Sequence, residues 1–388
     1  MSPRSKREYL EAIYLRYKKA SFKKKTILLN EFCQICNYHR KHAIRLLNNY
    51  NKPNNAIEPK NKGRPRVYDN PKLIEPLKRI WLTANLPCSK RLKAILAIWL
   101  PSYTQEYGEL EPGIVKLLLK ISASSIDKLL KRARIKYRIH GRATTKPGAL
   151  LKKHIPIKTD QWDETRPGFL EADTVAHCGE SLLGSFAYTI DFVDIATGWT
   201  EQRATWGKGE DGVLEQIKGV EPSLPFPILG FDSDNGCEFL NYHLLRYFTG
   251  RRKPIQFTRS RPYHKDDNAH IEQKNWTHVR QWLGYYRLDN FKVIRAMNEL
   301  YTKEWRLYHN FFLPSSKLLE KKLVASKTIK RYDSPKTPYE RVLESSFVDA
   351  SIKKSLKEQF VTLNPFRLRK AMEQKLKHIF TICYPKTI

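Results

Sequence analysis

No apolar run in this sequence approaches the roughly 18 residues that a membrane-spanning helix needs, so none is expected. The first residues, MSPRSKREYLEA, lack the apolar core of a signal peptide, and the expectation is a soluble, intracellular chain. Cysteine is sparse: Cys33, Cys36, Cys88, Cys178, Cys237 and Cys383 are scattered and form no disulfide framework, and a reducing compartment would keep them as thiols. Negative charge is also scarce, with 39 Asp plus Glu against 71 Lys plus Arg and a formal net charge of +32. That excess is beyond what solubility needs and implies a polyanionic partner, nucleic acid or an anionic membrane surface.

The acidic residues are concentrated. Residues 160 to 290 hold 20 Asp plus Glu and 14 Lys plus Arg, a net of −6, leaving 57 basic and 19 acidic residues elsewhere, a net of +38. An acidic centre between basic arms fits a metal-dependent enzyme with separate nucleic-acid grips better than a simple basic binding protein. With 41% apolar residues over 388, the chain has core material for two or three domains.

Residues 1–50 read as a helical domain, with Leu10, Ile13 and Tyr17 at helical spacing. The helix 26–36, the break at Asn37 and Tyr38 and the helix 39–48 make a helix-turn-helix candidate, with Arg40, Lys41 and Arg45 as DNA contacts. Cys33, Cys36, His39 and His42 carry zinc-binding atoms, but side chains three apart on one helix spread around it and do not converge tetrahedrally, which favours core packing. Residues 51–70 form a basic linker ending in Gly63, Arg64, Pro65 and Arg66. Such a tract is either a plain basic linker or an extended arm whose Arg64 and Arg66 enter an AT-rich minor groove.

A second helical domain, also helix-turn-helix-like and DNA-binding, is expected over 71–137. Its last helix is expected to begin at a capping-box-like Ser124 with Asp127, and to present Lys128, Lys131, Arg132 and Arg134 on its exposed face. Residues 138–160 read as a linker. From Gly168 the period changes to that of strands, at 169–176, 186–195 and 199–205, with a turn around Gly198. Helix 210–218, strand 227–231, helix 237–249 and strand 255–258 follow. Three consecutive strands and then alternating helix and strand describe an α/β unit with a mixed sheet flanked by helices, over 161–312. Residues 313–388 are expected to be a mostly helical, basic C-terminal region with Asn364 and Pro365 opening its last helix.

Three carboxylates stand where elements begin or end. Asp173 lies in the strand of GFLEADTVAH, where Glu171, Asp173, Val175 and His177 share a face. Asp234 follows an apolar strand in SDNGCEF and turns through Asn235 and Gly236, with Asp232 on its face. Glu272 opens a helix in HKDDNAHIEQKNW and, with Trp276, Val279 and Leu283, is expected to head its buried stripe. Carboxylates aimed into a core need a partner or a cation, because an unpaired buried charge costs several kcal/mol. Magnesium takes hard oxygen ligands while keeping positions for water and phosphate, and two ions about 4 Å apart stabilise both attacking and leaving oxygens of a phosphoryl displacement. His177 and Cys178 follow the first aspartate; packing at the strand end and contact with a substrate phosphate are both open for His177. Asp266 and Asp267 read as a solvated loop before the glutamate helix.

Taken together, GFLEADT, SDNGCEF and SRPYHKDDNAHIEQKNW resemble the catalytic core of the DDE transposases of bacterial insertion sequences, a group whose core is similar to retroviral integrase. The resemblance covers about residues 160 to 310, with 37 residues between Asp234 and Glu272, and the later TPYERVLESS is also similar. It implies an RNase H-like fold, with Asp173, Asp234 and Glu272 as the catalytic and metal-binding triad for two Mg2+ ions, which Mn2+ could replace. The implied reaction is DNA cleavage at the element's ends and strand transfer into target DNA. The implied partners are terminal inverted repeats, target DNA and further copies in a homo-oligomer on DNA, in a bacterial cytoplasm at the nucleoid, with no membrane and no small-molecule substrate. Two departures matter. Integrases carry an N-terminal zinc domain with histidines before cysteines, the reverse of the order here. Some relatives place a lysine one turn after the glutamate where this chain has Trp276, leaving Lys274, Asn275 and Arg280 as the DNA-contact candidates on that helix. A nuclease or resolvase that cuts without joining, and a domesticated DNA-binding protein without activity, are the alternative functions.

Overall fold

The computed structural model describes residues 1–50, 67–68, 70–137, 164–233, 236, 238–259, 269–324 and 327–385. Arg64 and Arg66, the linker 138–160, Asp234, Asn235 and Cys237 and the loop residues Asp266 and Asp267 lie outside them. The chain forms two compact units, Met1–Val67 and Tyr68–Ile388.

In the first unit, α1 (Pro3–Lys19), α2 (Phe22–Cys36) and α3 (Arg40–Asn49) pack around Ile13, Leu28, Leu29, Phe32, Cys36, Ala43 and Leu47. Helix α2 stops at Asn37, whose φ of +51° is a left-handed conformation that asparagine tolerates at a helix end. His39 then caps α3 by accepting from the Lys41 amide at 3.3 Å. Cys36 is spent in the core, His39 on the cap, and His42 packs edge-on against Tyr38. Arg40, Lys41 and Arg45 are exposed on α3.

The second unit opens with α4 (Ile74–Thr83), α5 (Ser89–Tyr107), α6 (Pro112–Lys120) and α7 (Ala123–Lys136). Helix α7 is capped by Ser122, which accepts from the Ser125 amide at 3.1 Å, two residues before the expected Ser124. Asp127 is engaged elsewhere, by the Ser89 hydroxyl at 2.5 Å and by Arg134 at 2.8 Å. Lys128, Lys131 and Arg132 are exposed on α7. Residues 71–137 were expected to form a domain of their own, but they share one core with the rest of this unit. The reason is α5, which buries Leu92, Ile95, Leu96, Trp99, Leu100 and Tyr103, more apolar surface than a short helical group can cover alone. The Trp99 indole donates to the Phe312 carbonyl at 3.1 Å, and the Tyr308 hydroxyl donates to the Thr83 carbonyl.

The sheet follows: β1 (Phe169–Ala176), β2 (Ala187–Asp194), β3 (Thr200–Trp206), α8 (Glu210–Val220), β4 (Gly230–Ser233), α9 (Tyr242–Thr249) and β5 (Gln256–Arg259). Its order is β3-β2-β1-β4-β5, with β1, β2 and β3 antiparallel and β4 and β5 parallel to β1. The mixed sheet flanked by helices is the expected architecture. Gly198 makes the β2–β3 turn at φ +73°, and Asp194 closes it by accepting from the Thr197 amide and hydroxyl at 2.7 and 2.6 Å. Helix α9 starts later than the expected 237, because Asn241 caps it by accepting from the Leu244 amide at 2.9 Å.

Beyond the sheet, α10 (Ala269–Lys274) runs through a π-helical turn, Asn275–Arg280, into α11 (Gln281–Leu283). Helix α12 (Val293–Leu300) passes through a second π-helical turn, Tyr301–Trp305, into α13 (Arg306–Phe312). The region after 313 is not simply helical. It begins with an antiparallel hairpin, β6 (Leu318–Val324) and β7 (Lys327–Tyr332), before α14 (Pro338–Glu344), α15 (Ala350–Thr362) and α16 (Pro365–Cys383). Thr337 and Glu340 form a capping box on α14, and Asn364 caps α16 from the expected position. Among the described residues no helix is long and apolar enough to cross a membrane.

Candidate active site

Strand β1 is the middle strand of the sheet, hydrogen-bonded along both edges, and buried polar groups on it must be partnered. Glu171 is buried, and its carboxylate accepts from the Ile271 amide at 3.0 Å, satisfying an open donor in the first turn of α10. Two residues on, and on the same face, Asp173 is half-buried. Its Oδ2 accepts from the Asn275 side-chain amide at 2.6 Å, and its Oδ1 from the Thr174 backbone amide at 2.7 Å. Consecutive outward positions of β1 thus hold consecutive turns of one helix, and Glu272 stands between the two attachments.

Glu272 is exposed rather than at the head of a buried stripe, and Trp276 is 36% exposed, while Val279 and Leu283 are buried as expected. Ile271, Lys274 and His278 turn inward instead. The π-helical turn from Asn275 is the cause, since its i→i+5 bonds shift the angular phase of the helix between Glu272 and Val279. The three candidate DNA contacts on this helix are engaged within the fold. Lys274 is only 7% exposed, Asn275 is held by Asp173, and Arg280 donates to the Ala176 carbonyl at 2.8 Å.

Asp234 lies outside the described residues. Strand β4 ends at Ser233, which pairs with Ala172, so the described chain stops beside the residue that precedes Asp173. Asp232 is buried and accepts from the Thr258 hydroxyl at 2.6 Å across the β4–β5 pair. His177 is fully buried, bonded through Nε2 to the Thr189 hydroxyl at 2.8 Å, and burial pushes its imidazole down to about 3. Cys178 forms a bridge pair with Arg287.

Two acidic groups near Asp173 escaped the sequence reading. Asp191 on β2 stands in register opposite Asp173, fully buried, and accepts from the Gln202 amide at 2.7 Å. Burial pushes Asp191 up to about 7, with the Asp173 charge adding to the rise and Gln202 and Lys274 opposing it. Burial likewise pushes Lys274 down to about 8, opposed by Asp191. Glu238 is buried on the far side of β1, bonded by the Thr174 hydroxyl at 2.8 Å and by Lys208. Burial alone would raise Glu238; the Lys208 ion pair and hydrogen bond hold it below its ordinary range. The alternation of FAYTIDFVD makes Asp191 face one side of the sheet, but only the pairing register reveals which residue it meets.

The donor chemistry suits a hard divalent cation. Asp173 and Glu272 offer carboxylate oxygens on neighbouring elements, and the buried Asn275 Oδ1 has no hydrogen-bond donor among the described residues. A hydrated cation between the two carboxylates would supply that oxygen with a partner. Among the described residues, which exclude Asp234, no group of three or more His, Cys, Asp or Glu converges to hold a metal ion.

No family model matches the chain. It is 36% identical over 344 residues to the uncharacterized protein y4rM of Sinorhizobium fredii (strain NBRC 101917 / NGR234), covering 88% of this chain and 96% of that protein. The chain belongs to the y4rM family. The match runs nearly the full length of y4rM. Among solved structures, the HTLV-2 integrase catalytic core domain in complex with magnesium matches at TM-score 0.27 and 14% identity, covering 39% of this chain and 92% of that one. A simian T-cell lymphotropic virus intasome in complex with PP2A regulatory subunit B56 gamma matches at TM-score 0.30 and 11% identity, covering 62% and 73%.

Proposed function

We propose that this chain is a DDE-type DNA transposase with an RNase H-like core, which cuts DNA at the ends of its own element and transfers the freed ends into target DNA. The observation that carries this reading is the bond from Asn275 to Asp173. It draws the strand of one carboxylate and the helix of another, 99 residues apart in sequence, to one place. Asp173, Asp234 and Glu272 would hold two Mg2+ ions, with Mn2+ as a substitute. Bound there, the metal would activate water and then the 3′ hydroxyl for in-line attack on a phosphate.

The protein's own groups prepare that site. Asn275 fixes one oxygen of Asp173, which orients the carboxylate, and Glu171 fixes the start of the helix that carries Glu272. Asp191 stands opposite Asp173 in the sheet, and the positive charge of Lys274 opposes the rise that burial forces on it. Delivery of DNA falls to basic surfaces. The α2–α3 pair is proposed as a helix-turn-helix with Arg40, Lys41 and Arg45 on its second helix, and α6–α7 as a second one with Lys128, Lys131 and Arg132. Two element ends must be held together for transfer, so assembly of several copies on DNA is part of the proposal.

The test uses the purified full chain, Mg2+ and duplexes carrying the terminal repeats that flank its gene. Cut ends joined to a target duplex are expected. Cutting without joining would make the chain a nuclease or resolvase, and binding without cutting would make it a DNA-binding protein that has lost the reaction.

A further inference from the structure

We infer that the β6–β7 hairpin is a ribbon that enters the major groove of the DNA duplex held at the active site, an inference that rests on the proposed function above. A two-stranded ribbon fits that groove, whereas an isolated hairpin gains little stability in water by itself. Here β6 and β7 form a two-stranded sheet with no third strand on either edge among the described residues. Seven residues of β6 extend about 20 Å at a strand's rise, enough to cross a groove.

Its composition points to DNA as the occupant. Residues 318–332 contain five Lys or Arg and one Glu, a net of +4. Lys322, Lys330 and Arg331 are exposed, with Leu319, Ile329 and Tyr332 between 52% and 62% exposed among them. The Lys322–Glu320 ion pair at 2.6 Å is itself on the surface, so a phosphate can replace it at little cost. A second copy of the same ribbon would bring +4 against +4, which opposes pairing of two hairpins edge to edge.

The base is fixed and lies beside the Glu272 helix. Asp333 accepts from the Lys317 amide at 2.7 Å and from Arg341 at 2.6 Å, and Ser315 exchanges backbone bonds with Lys336 at 2.9 and 3.1 Å. A cavity of about 70 Å³ is lined by Ser315 together with Gln273, Lys274 and His278. The ribbon therefore springs from a braced root one helix face away from the candidate metal ligands.

The experiment measures binding of the full chain to a labelled duplex over a range of salt, for the natural sequence and for Lys322→Ala/Lys330→Ala/Arg331→Ala. Each lost phosphate contact lowers the slope of log affinity against log salt by about 0.9, so a fall of about 2 to 3 is expected, with weaker binding at every salt concentration. These side chains are exposed, so an unchanged melting curve is the folding control. An unchanged slope, or no duplex binding by the natural chain, overturns the inference. So does a natural chain that dimerises without DNA while the triple variant is monomeric with the same slope, since the ribbon would then join copies. Cleavage in Mg2+ is scored separately: a chain that never cuts but shows the slope change fails the transposase reading alone, and one that cuts with an unchanged slope fails the ribbon alone.

Discussion

Asn275 donates its side-chain amide to Asp173 at 2.6 Å, one turn beyond Glu272 on the same helix. Because that bond orients a proposed metal ligand from a neighbouring element, Asn275→Ala is expected to slow DNA cleavage by about 10- to 100-fold, the usual cost of removing a partner that holds a ligand. DNA affinity, which the proposal assigns to the basic surfaces, should stay within experimental error. Single-turnover cleavage and equilibrium binding on one duplex check this, and full activity in Asn275→Ala would remove the positioning role.

Glu171 fastens the start of that helix from β1. Glu171→Ala leaves the Ile271 amide without its acceptor in a buried place, which costs about 1–3 kcal/mol. Urea unfolding should show that loss, and a change below about 0.5 kcal/mol, the scale of an ordinary surface substitution, would contradict the cap.

Trp99 binds the first helices of the second unit to its last ones. It is fully buried, donates to the Phe312 carbonyl and stacks edge-on against Tyr308, Phe312 and Phe366. Trp99→Ala should cost about 3–5 kcal/mol and lower one shared transition. A separate early transition for residues 71–137, with the sheet region unaffected, would show that the helices fold by themselves.

Acid should unfold the protein through its buried histidines. Burial depresses His177 and His309 to about 3, against an ordinary value of 6.5. The unfolded chain therefore takes up protons at these two positions below pH 6.5 that the folded chain refuses, so the stability that rests on the two imidazoles is intact above 6.5 and falls as pH drops towards 3, offset in part by Asp191, whose raised value favours the folded state at low pH. Each histidine contributes a slope of about 1.4 kcal/mol per pH unit within that window. His177→Gln should flatten the curve of stability against pH by that amount, and a parallel curve would contradict the buried neutral imidazole.

Strands β1 to β5 were legible because period-two patterning and turn chemistry at Gly198 are local, and the same is true of the Asn364 cap. Asp173 was placed correctly on a strand for that reason. The Asp191 partner was not legible, since a one-residue change of register would have put a different side chain opposite Asp173. The inward turn of Lys274 and outward turn of Glu272 depend on a π-helical turn that no residue of NWTHVR announces. The hairpin was missed because KLLEKKLV satisfies helical spacing as well as alternation, and short apolar runs are ambiguous between the two. The merger of residues 71–137 into a larger core follows from Trp99 meeting Phe312, a contact across 213 positions that local pattern cannot reveal.

Asp173 and Glu272 are proposed to act in chemistry and not in holding DNA. The most direct measurement compares the natural chain with Asp173→Asn and Glu272→Gln, reading Mg2+-dependent cleavage and duplex affinity on the same end-containing DNA. The expected result is loss of cleavage with affinity nearly intact. Cleavage that survives in either variant, or affinity that falls in step with cleavage, would contradict that division of roles.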